Sequence, residues 1–291
     1  NQSSRSAVRK PQSCPNKPCS RHGSDHTTGR PDVRCRFVQT FVGNRLPPTR
    51  QVRTPLADGT DPITPKGMCG RFAQTMPSDD LIRLFRIASG VAVRPRFNVA
   101  PTQPVLVVRE TTQGRILQQT RWGLVPSWAP DLSRGASLIN ARSETVFEKR
   151  SFSALARTQR CVIPASGFYE WRDTPAGKMP TLFTPSDAPV FRFAGLWSAW
   201  ADNAGTLVFT CTILTTEANQ TMAPFHHRMP VLLSEAGADI WLDCATTAPD
   251  ALRPLFRSAP NNAIQLRPVS KRVNNVRHDD PSCWNPATNI E

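Results

Sequence analysis

From Met68 onward, short runs of apolar, β-branched and aromatic residues alternate with proline and glycine, which is typical of strands rather than of long helices. The pattern predicts strands at Val105–Arg109, Ile116–Trp122, Cys161–Trp171, Met179–Thr184, Phe191–Trp200, Leu207–Leu214 and Met229–Leu233. Helices are predicted at Ser78–Phe85, with Ser78 as the N-cap, at Val146–Leu155 and at Ala236–Leu242. Because strands outnumber helices and are not separated by regular helices, we predict an α+β domain. Its sheet is mostly antiparallel and curved, with a few flanking helices.

The first 67 residues differ in composition from the rest of the chain. They contain 12 Lys and Arg against 4 Asp and Glu, 9 prolines and only 15 apolar residues. Such a segment cannot bury enough apolar surface to offset the entropy of an ordered chain. We therefore predict a disordered basic extension at 1–67, one domain at 68–275 and a loose tail at 276–291. Because Met68 is the first methionine, we expect translation to start there, with the extension upstream of the true start.

Several function classes receive no support from the sequence. No apolar run approaches the roughly 20 residues of a membrane span, and no secretory signal is present, so we expect a cytoplasmic protein that is nucleoid-associated if bacterial. Neither glycine-rich phosphate loop occurs, so no nucleotide cofactor is expected. The cysteines form no disulfide framework, and Cys14, Cys19, His22 and His26 lack the long central segment of a zinc finger. We expect free thiols, no metal and a monomer.

The charge of the predicted domain is compatible with a polyanionic partner. Residues 68–291 carry 24 Lys and Arg against 18 Asp and Glu, a net charge of +6. Charge alone favours nucleic acid only modestly, because many proteins are basic without binding it.

Cys69 follows Met68 directly, so removal of an initiating methionine would leave it as the N-terminal residue. Its α-amine and thiol would then lie on adjacent carbons, where they can capture an aldehyde as an imine and close a thiazolidine ring. The α-amine has an ordinary pKa of about 7.7–8.0 against about 10.4 for lysine, so much more of it is neutral near pH 7. The thiol is the second nucleophile. The alternative is that Met-Cys-Gly forms an ordinary internal turn.

Two polar clusters follow or end predicted strands, where functional groups are often placed. Asn140 and Arg142 are two residues apart and therefore share one side of an extended segment. The alternative is a helix entry with solvated side chains. Glu170 follows an apolar strand between two aromatic residues, where desolvation would raise the pKa of its carboxyl and suit it to proton transfer. A surface glutamate on an edge strand is the alternative.

Two further clusters and two tryptophans are candidates for substrate contact. His226 and Arg228 precede a predicted strand and offer a proton shuttle and a phosphate ligand, although exposed or metal-binding histidines remain alternatives. Thr215 could bond a phosphate or cap a helix. Trp122 and Trp128 could stack on unpaired bases, but aromatic residues are more often part of the core.

Six segments, in order along the chain, resemble the SRAP family, the SOS-response-associated peptidase proteins. They are Met68–Phe72, Phe97–Pro101, Arg121–Pro126, Ile139–Glu144, Gly167–Trp171 and His226–Pro230. The resemblance implies a sensor of abasic sites in single-stranded DNA that captures the aldehyde of the ring-opened sugar as a thiazolidine crosslink. It also implies the site residues. Cys69 would attack, Asn140 would orient the amine or the sugar, Glu170 would transfer protons and His226 would help to open the sugar ring.

The resemblance also implies the DNA contacts. Arg71, Arg142 and Arg228 would bind backbone phosphates, with Thr215 a weaker candidate. Aromatic side chains near Trp122 and Trp128 could fill the gap left by the missing base. Self-processing as a peptidase and minor lyase activity, from β-elimination that outruns thiol closure, are compatible with the same chemistry.

Two other functions remain open from the sequence. The first is an N-terminal-cysteine amidohydrolase or peptidase without a DNA substrate. The second is a non-catalytic nucleic-acid-binding module in which Cys69 is incidental. One departure from the family pattern affects the covalent chemistry. While residues 1–67 remain attached, the nitrogen of Cys69 is an amide and is not nucleophilic. Translation from Met68 or cleavage before Cys69 would free it.

Overall fold

The computed structural model describes residues 70–175 and 177–287, and twelve strands in this part of the chain form two sheets. The strands are β1 (Phe72–Gln74), β2 (Arg96–Val99), β3 (Pro104–Thr111), β4 (Gly114–Trp122), β5 (Asn140–Arg142), β6 (Arg160–Ala165), β7 (Gly167–Thr174), β8 (Gly177–Pro185), β9 (Phe191–Ala201), β10 (Leu207–Glu217), β11 (Arg228–Pro230) and β12 (Ile264–Pro268). The helices are α1 (Ser78–Phe85), α2 (Leu155–Thr158), α3 (Glu235–Leu242) and α4 (Pro249–Leu252). Short 3-10 turns lie at Leu132–Ser137, Ser143–Thr145, Arg253–Phe256, Asn261–Ala263, Lys271–Asn274 and Pro281–Trp284.

The smaller sheet has the order β12-β8-β7-β1-β2 and is antiparallel throughout. The larger sheet has the order β11-β10-β4-β3-β6-β9, and β9 also pairs with β10, so five of its strands close into a small barrel. Among the described strands only the pairs β4–β10 and β5–β10 are parallel. The prediction of an α+β fold with a mostly antiparallel, curved sheet is therefore confirmed.

Aromatic side chains fill the space between the two sheets. Phe72 of the small sheet meets Trp122 of the barrel edge-on, with ring centroids 4.9 Å apart. Phe168 stacks on Phe183 at 4.9 Å and also contacts Phe193 of the barrel. Each of these side chains is almost fully buried. Burial of a large apolar side chain contributes about 1.5–3 kcal/mol, so this layer holds the sheets in a fixed relation.

A second apolar core lies between the outer side of the barrel and the helices. Helix α1 contributes Leu81 and Phe85, and α3 contributes Trp241 and Leu242. The α1 prediction has the observed bounds, but Ser78 does not cap the helix. Its hydroxyl accepts a hydrogen bond from the amide of Val93 instead.

The predicted helix Val146–Leu155 is wrong over most of its length. Residues 146–154 form turns, and a helix is present only at Leu155–Thr158. Val146 is buried, whereas Lys149 and Arg150, which would lie beside it on a helix, are exposed. A helix here would have placed charged side chains against the core.

The predicted strand Cys161–Trp171 is two strands that belong to different sheets. Strand β6 ends at Ala165 and pairs with β9, whereas β7 begins at Gly167 and pairs with β1 and β8. A Cβ atom at Gly167 would lie 2.8 Å from the carbonyl oxygen of Phe183. The crossing between the sheets therefore requires glycine at this position. Strands β1, β2, β5 and β12 were not predicted, because short strands give little periodic signal.

The predicted loose tail is also wrong for residues 276–287. The carboxylate of Asp279 accepts hydrogen bonds from the amides of Phe97 and Asn98, at 2.6 and 2.8 Å. Cys283 is fully buried, and the indole of Trp284 donates to the hydroxyl of Tyr169 at 2.8 Å. The segment thus packs against the small sheet despite its polar composition.

Cys161, Cys211 and Cys283 are unpaired thiols. The zinc candidates Cys14, Cys19, His22 and His26 lie outside the described residues, as does Cys69. No helix within the described part of the chain is long and apolar enough to cross a membrane.

Candidate active site

The end of β10 brings two of the predicted polar clusters together. Asn140 and Arg142 of β5 pair in register with Ile213 and Thr215 of β10. On the other edge of β10, Arg228 of β11 pairs with Glu217. Short strands on both sides of one long strand therefore place the Asn140 and Arg228 clusters next to each other.

The position of Asn140 is fixed by its neighbour Ile139. The carbonyl oxygen of Ile139 accepts hydrogen bonds from the indole of Trp122 at 2.9 Å and from the amide of Ile213 at 3.0 Å. Asn140 itself is half-buried. Because it pairs with Ile213, whose side chain belongs to the core between the sheets, its side chain shares the side of the barrel that faces the small sheet.

Glu170 lies across the small sheet from the start of β1. Phe72 pairs with Phe168, and the amide of Tyr169 donates to the carbonyl oxygen of Arg71 at 3.0 Å. Continuing this antiparallel register places Gly70 opposite Glu170. The Glu170 side chain is only 9% exposed and is on the same face as Phe168, toward the barrel. Cys69 immediately precedes Gly70 in the sequence.

His226 reaches the same end of the core from the segment before β11. The neighbouring Phe225 packs edge-on against Phe183 at 5.0 Å, and Phe183 stacks on Phe168, two residues before Glu170. The rings of His226 and His227 stack at 4.3 Å. These contacts connect the segment of His226 to the strands of the small sheet, including the one that carries Glu170, at the edge, or rim, of the space between the two sheets.

The chemical state of His226 follows from its surroundings. Burial lowers the pKa of its imidazole, and the charges of His227 and Arg228 act in the same direction. Its Nδ1 accepts a hydrogen bond from the backbone amide of Arg228 at 3.0 Å. The neutral ring therefore carries its proton on Nε2, which is the nitrogen left to meet a substrate.

The three predicted phosphate ligands differ in what already holds them. Arg228 is 6% exposed and makes a two-pronged ion pair with Glu144, at 2.5 and 2.8 Å. Arg71 is 8% exposed and donates to the side chain of Asn98 and to the carbonyl oxygen of Val273. Only Arg142 of the three is exposed.

Two predicted DNA contacts are wrong. Trp122 and Thr215 are both fully buried, and the hydroxyl of Thr215 donates to the carbonyl oxygen of Ala141. Trp128, in contrast, is 47% exposed, and the guanidinium of Arg150 lies over its ring, 4.8 Å from the centroid. Of the two tryptophans, only Trp128 is available to an external partner.

Sequence reasoning missed two residues that hold this rim. Glu144 binds Arg228, and Asn98 accepts from Arg71 while its amide nitrogen donates to the carbonyl oxygens of Val273, Asn275 and His278. Both lie in segments that resemble the SRAP family, and this resemblance is the only indication of them in the sequence. Arg228 is 84 residues from Glu144 and His278 is 180 residues from Asn98, so no local pattern could have revealed these contacts.

A sequence profile described as SOS response associated peptidase (SRAP) matches residues 68–276. The chain belongs to the SRAP family. It is 38% identical over 218 residues to the abasic site processing protein YoqW of Bacillus subtilis, covering 74% of this chain and 97% of that protein. It is 33% identical over 225 residues to the abasic site processing protein HMCES of Gallus gallus, covering 66% of each.

Solved structures agree with this SRAP assignment at the level of fold. A crystal structure of a protein from Bacteroides thetaiotaomicron has a TM-score of 0.68 at 22% identity, covering 76% of this chain and 100% of that one. A protein from Bordetella bronchiseptica gives a TM-score of 0.61 at 26% identity, covering 69% and 100%. The predicted family and fold are both confirmed.

Proposed function

We propose that this SRAP protein processes abasic sites in single-stranded DNA by covalent capture through Cys69. The proposal is carried by the β1–β7 register, which sets Gly70, the residue after Cys69, opposite the buried Glu170. The names of the relatives YoqW and HMCES, abasic site processing proteins, supply the substrate class.

The chemistry uses both nucleophiles of an N-terminal cysteine. The neutral α-amine adds to the aldehyde of the ring-opened deoxyribose, and loss of water gives an imine. The thiol sulfur then adds to the imine carbon, the imine nitrogen takes up a proton, and a five-membered thiazolidine closes. The crosslink requires that the α-amine of Cys69 is free, so residues 1–68 must be absent from the reacting form.

Three side chains at the rim carry out the proton transfers and orient the reacting groups. Glu170 carries protons during imine formation and ring closure, since a buried carboxyl group beside an amine can exchange protons near neutral pH. His226 offers its Nε2–H to the sugar hydroxyls and assists ring opening. The amide of Asn140 orients the amine or the sugar by hydrogen bonding.

DNA binding rests on charge and on one exposed ring. Arg142 contacts a phosphate directly, because it is exposed beside Asn140. Arg71 adds positive charge from below the surface, since its partners Asn98 and Val273 are neutral. The charge of Arg228 is largely balanced by Glu144. The exposed ring of Trp128 stacks on a base next to the position where the base is missing.

The test uses protein translated from Met68, with the mass confirming that Cys69 is the first residue. It is incubated with single-stranded DNA that carries one abasic site and is then run on a denaturing gel. We expect a shifted band that survives denaturation and is absent with Cys69→Ala. Strand cleavage without a shifted band would instead indicate that β-elimination outruns ring closure.

A second candidate is an N-terminal-cysteine peptidase without a DNA substrate, which the family description itself favours. It predicts no shifted band despite an exposed Cys69. It also predicts that removal of residues 1–68 from the full-length chain depends on Cys69.

A further inference from the structure

The ion pair between Glu144 and Arg228 connects two segments that border the rim. Glu144 lies in the 3-10 turn after β5, and Arg228 begins β11. Both terminal nitrogens of the guanidinium bind the Glu144 carboxylate, and one of them also donates to the carbonyl oxygen of Thr215 at 2.6 Å. Arg228 is thereby fastened to the turn and to β10 at once.

Arg228 is in turn the residue that holds His226. Its backbone amide donates to Nδ1 of His226, so the position of the Arg228 backbone sets both the orientation of the ring and its tautomer. The titratable or charged groups that act directly on His226 are His227, stacked on its ring, and Arg228. Glu144, Arg142 and Glu217 lie next to Arg228 on the neighbouring elements, and Glu170 lies at the same rim on the small sheet. Among these the Glu144 carboxylate is the one bonded to Arg228.

We propose that Glu144 is a positioning residue that acts on His226 through Arg228. By fastening the guanidinium and balancing its charge, Glu144 keeps the Arg228 amide under Nδ1 of His226 and limits the repulsion between Arg228 and a protonated imidazole. Its part in catalysis rests on the proposed function, because His226 is assigned to ring opening there. The coupling between Glu144 and His226 is a property of the folded chain and does not depend on DNA.

The coupling is tested on the full-length chain by NMR titration of the imidazole of His226, assigned by comparison with His226→Gln. Glu144→Gln keeps the shape of the side chain but leaves the charge of Arg228 unbalanced. We expect the midpoint of the His226 titration to fall by about half a pH unit, and the Nε2–H tautomer to lose population. Glu144→Asp, which keeps the charge with a shorter reach, should give a midpoint between those of the wild type and Glu144→Gln.

Glu148→Gln is the matched control, because Glu148 is exposed, lies four residues away and faces a different arginine, Arg253, at 3.9 Å. It should leave the His226 midpoint unchanged. An unchanged midpoint and tautomer in Glu144→Gln would overturn the proposal. If Glu144→Gln does not fold, an unchanged His226 midpoint in Glu144→Asp would also overturn the proposal.

Capture of abasic DNA is measured separately, with protein that starts at Cys69. We expect Glu144→Gln to lower the capture rate at saturating DNA by about tenfold and to move the acid limb of the pH–rate profile to lower pH. The DNA concentration for half-maximal rate should change by no more than about twofold. Failure of the wild type to capture DNA would reject the proposed function while leaving the titration result intact.

Discussion

The indole Nε1–H of Trp122 donates a 2.9 Å hydrogen bond to the carbonyl oxygen of Ile139, the residue immediately before Asn140. A side chain that sequence patterns place among the DNA contacts is therefore part of the support beneath the site. The same ring packs edge-on against Phe72, three residues after Cys69. One buried tryptophan thus touches the segments that carry two of the proposed reactive groups.

Trp122→Phe should destabilise the fold and slow capture of abasic DNA. The change removes a buried hydrogen bond and leaves a small cavity, which together cost about 2–3 kcal/mol. The Ile139–Asn140 segment loses one of its two anchors, so a fall in the capture rate beyond the loss of folded protein is expected. Urea unfolding and a time course of crosslinking measure the two effects.

Trp241→Phe provides the comparison for Trp122→Phe. Trp241 is also fully buried, and its indole donates to the carbonyl oxygens of Cys161 and Gly195, on the other side of the barrel. A similar loss of stability with an unchanged capture rate is expected. Equal slowing in both variants would mean that Trp122 acts only through global stability.

The sequence predicts the long strands well and the connections between strands poorly, for physical reasons. Strand β9 buries eight of its eleven residues, and its long, mostly apolar run is a signal that a sequence window detects. The change of sheet between β6 and β7 depends on Gly167, whose need for a small side chain comes from the Phe183 backbone of a third strand. Such a requirement is set by distant contacts, so the uninterrupted apolar run gave no sign of it.

The candidate site has the same limit. The sequence proposes Asn140, Glu170 and His226 as site residues because they interrupt apolar segments. Whether a given tryptophan or arginine is exposed could not be found in this way, since that depends on how the sheets pack. Burial removed Trp122 from the proposed contact surface and retained Trp128.

Trp128→Ala should weaken DNA binding and cost less stability than a substitution in the core. The ring is 47% exposed, so its loss removes only about half of the area that a core tryptophan buries. Stacking of one base on an aromatic ring contributes about 1–3 kcal/mol, so we expect the affinity for single-stranded abasic DNA to fall by about tenfold. Cys69→Ala protein, which cannot crosslink, allows this affinity to be measured by fluorescence anisotropy.

The control for Trp128→Ala is Ile240→Ala, a similarly exposed apolar side chain on α3. Its removal should leave DNA affinity unchanged. Equal affinities for the wild type and Trp128→Ala would remove Trp128 from the binding surface.

The folded chain should lose stability on mild acidification because of His226. Burial lowers the pKa of this imidazole in the folded state, whereas in the unfolded chain it is about 6.5. Between those two values the unfolded chain binds more protons. The stability contributed by the neutral ring is therefore complete above about pH 6.5 and is lost as the pH falls from there toward the folded-state pKa.

Urea unfolding of wild type and His226→Gln, from about pH 7.5 to about pH 5, measures this contribution. The wild type should lose more stability over the range than His226→Gln does. Parallel curves for wild type and His226→Gln would show that burial of His226 does not bias its protonation.

Asp279→Ala should destabilise the small sheet, although Asp279 lies in sequence with the composition of a loose tail. Its carboxylate accepts from the amides of Phe97 and Asn98 and also pairs with Arg96. Removing it leaves two partly buried amides without this acceptor, at about 1–3 kcal/mol each. We expect a loss of about 2–6 kcal/mol in the free energy of unfolding, measured with urea.

The destabilisation should extend to the candidate site, because Asn98 also binds Arg71, two residues after Cys69. Loosening of β2 would release the start of β1, and Gly70 would no longer be held opposite Glu170. Asp279→Ala is therefore expected to lower the capture rate even under conditions where the chain stays folded. Asp173→Ala, at an exposed position of the β7–β8 hairpin, should change neither quantity. Normal stability and capture in Asp279→Ala would mean that the 276–287 segment rests on the sheet without supporting it.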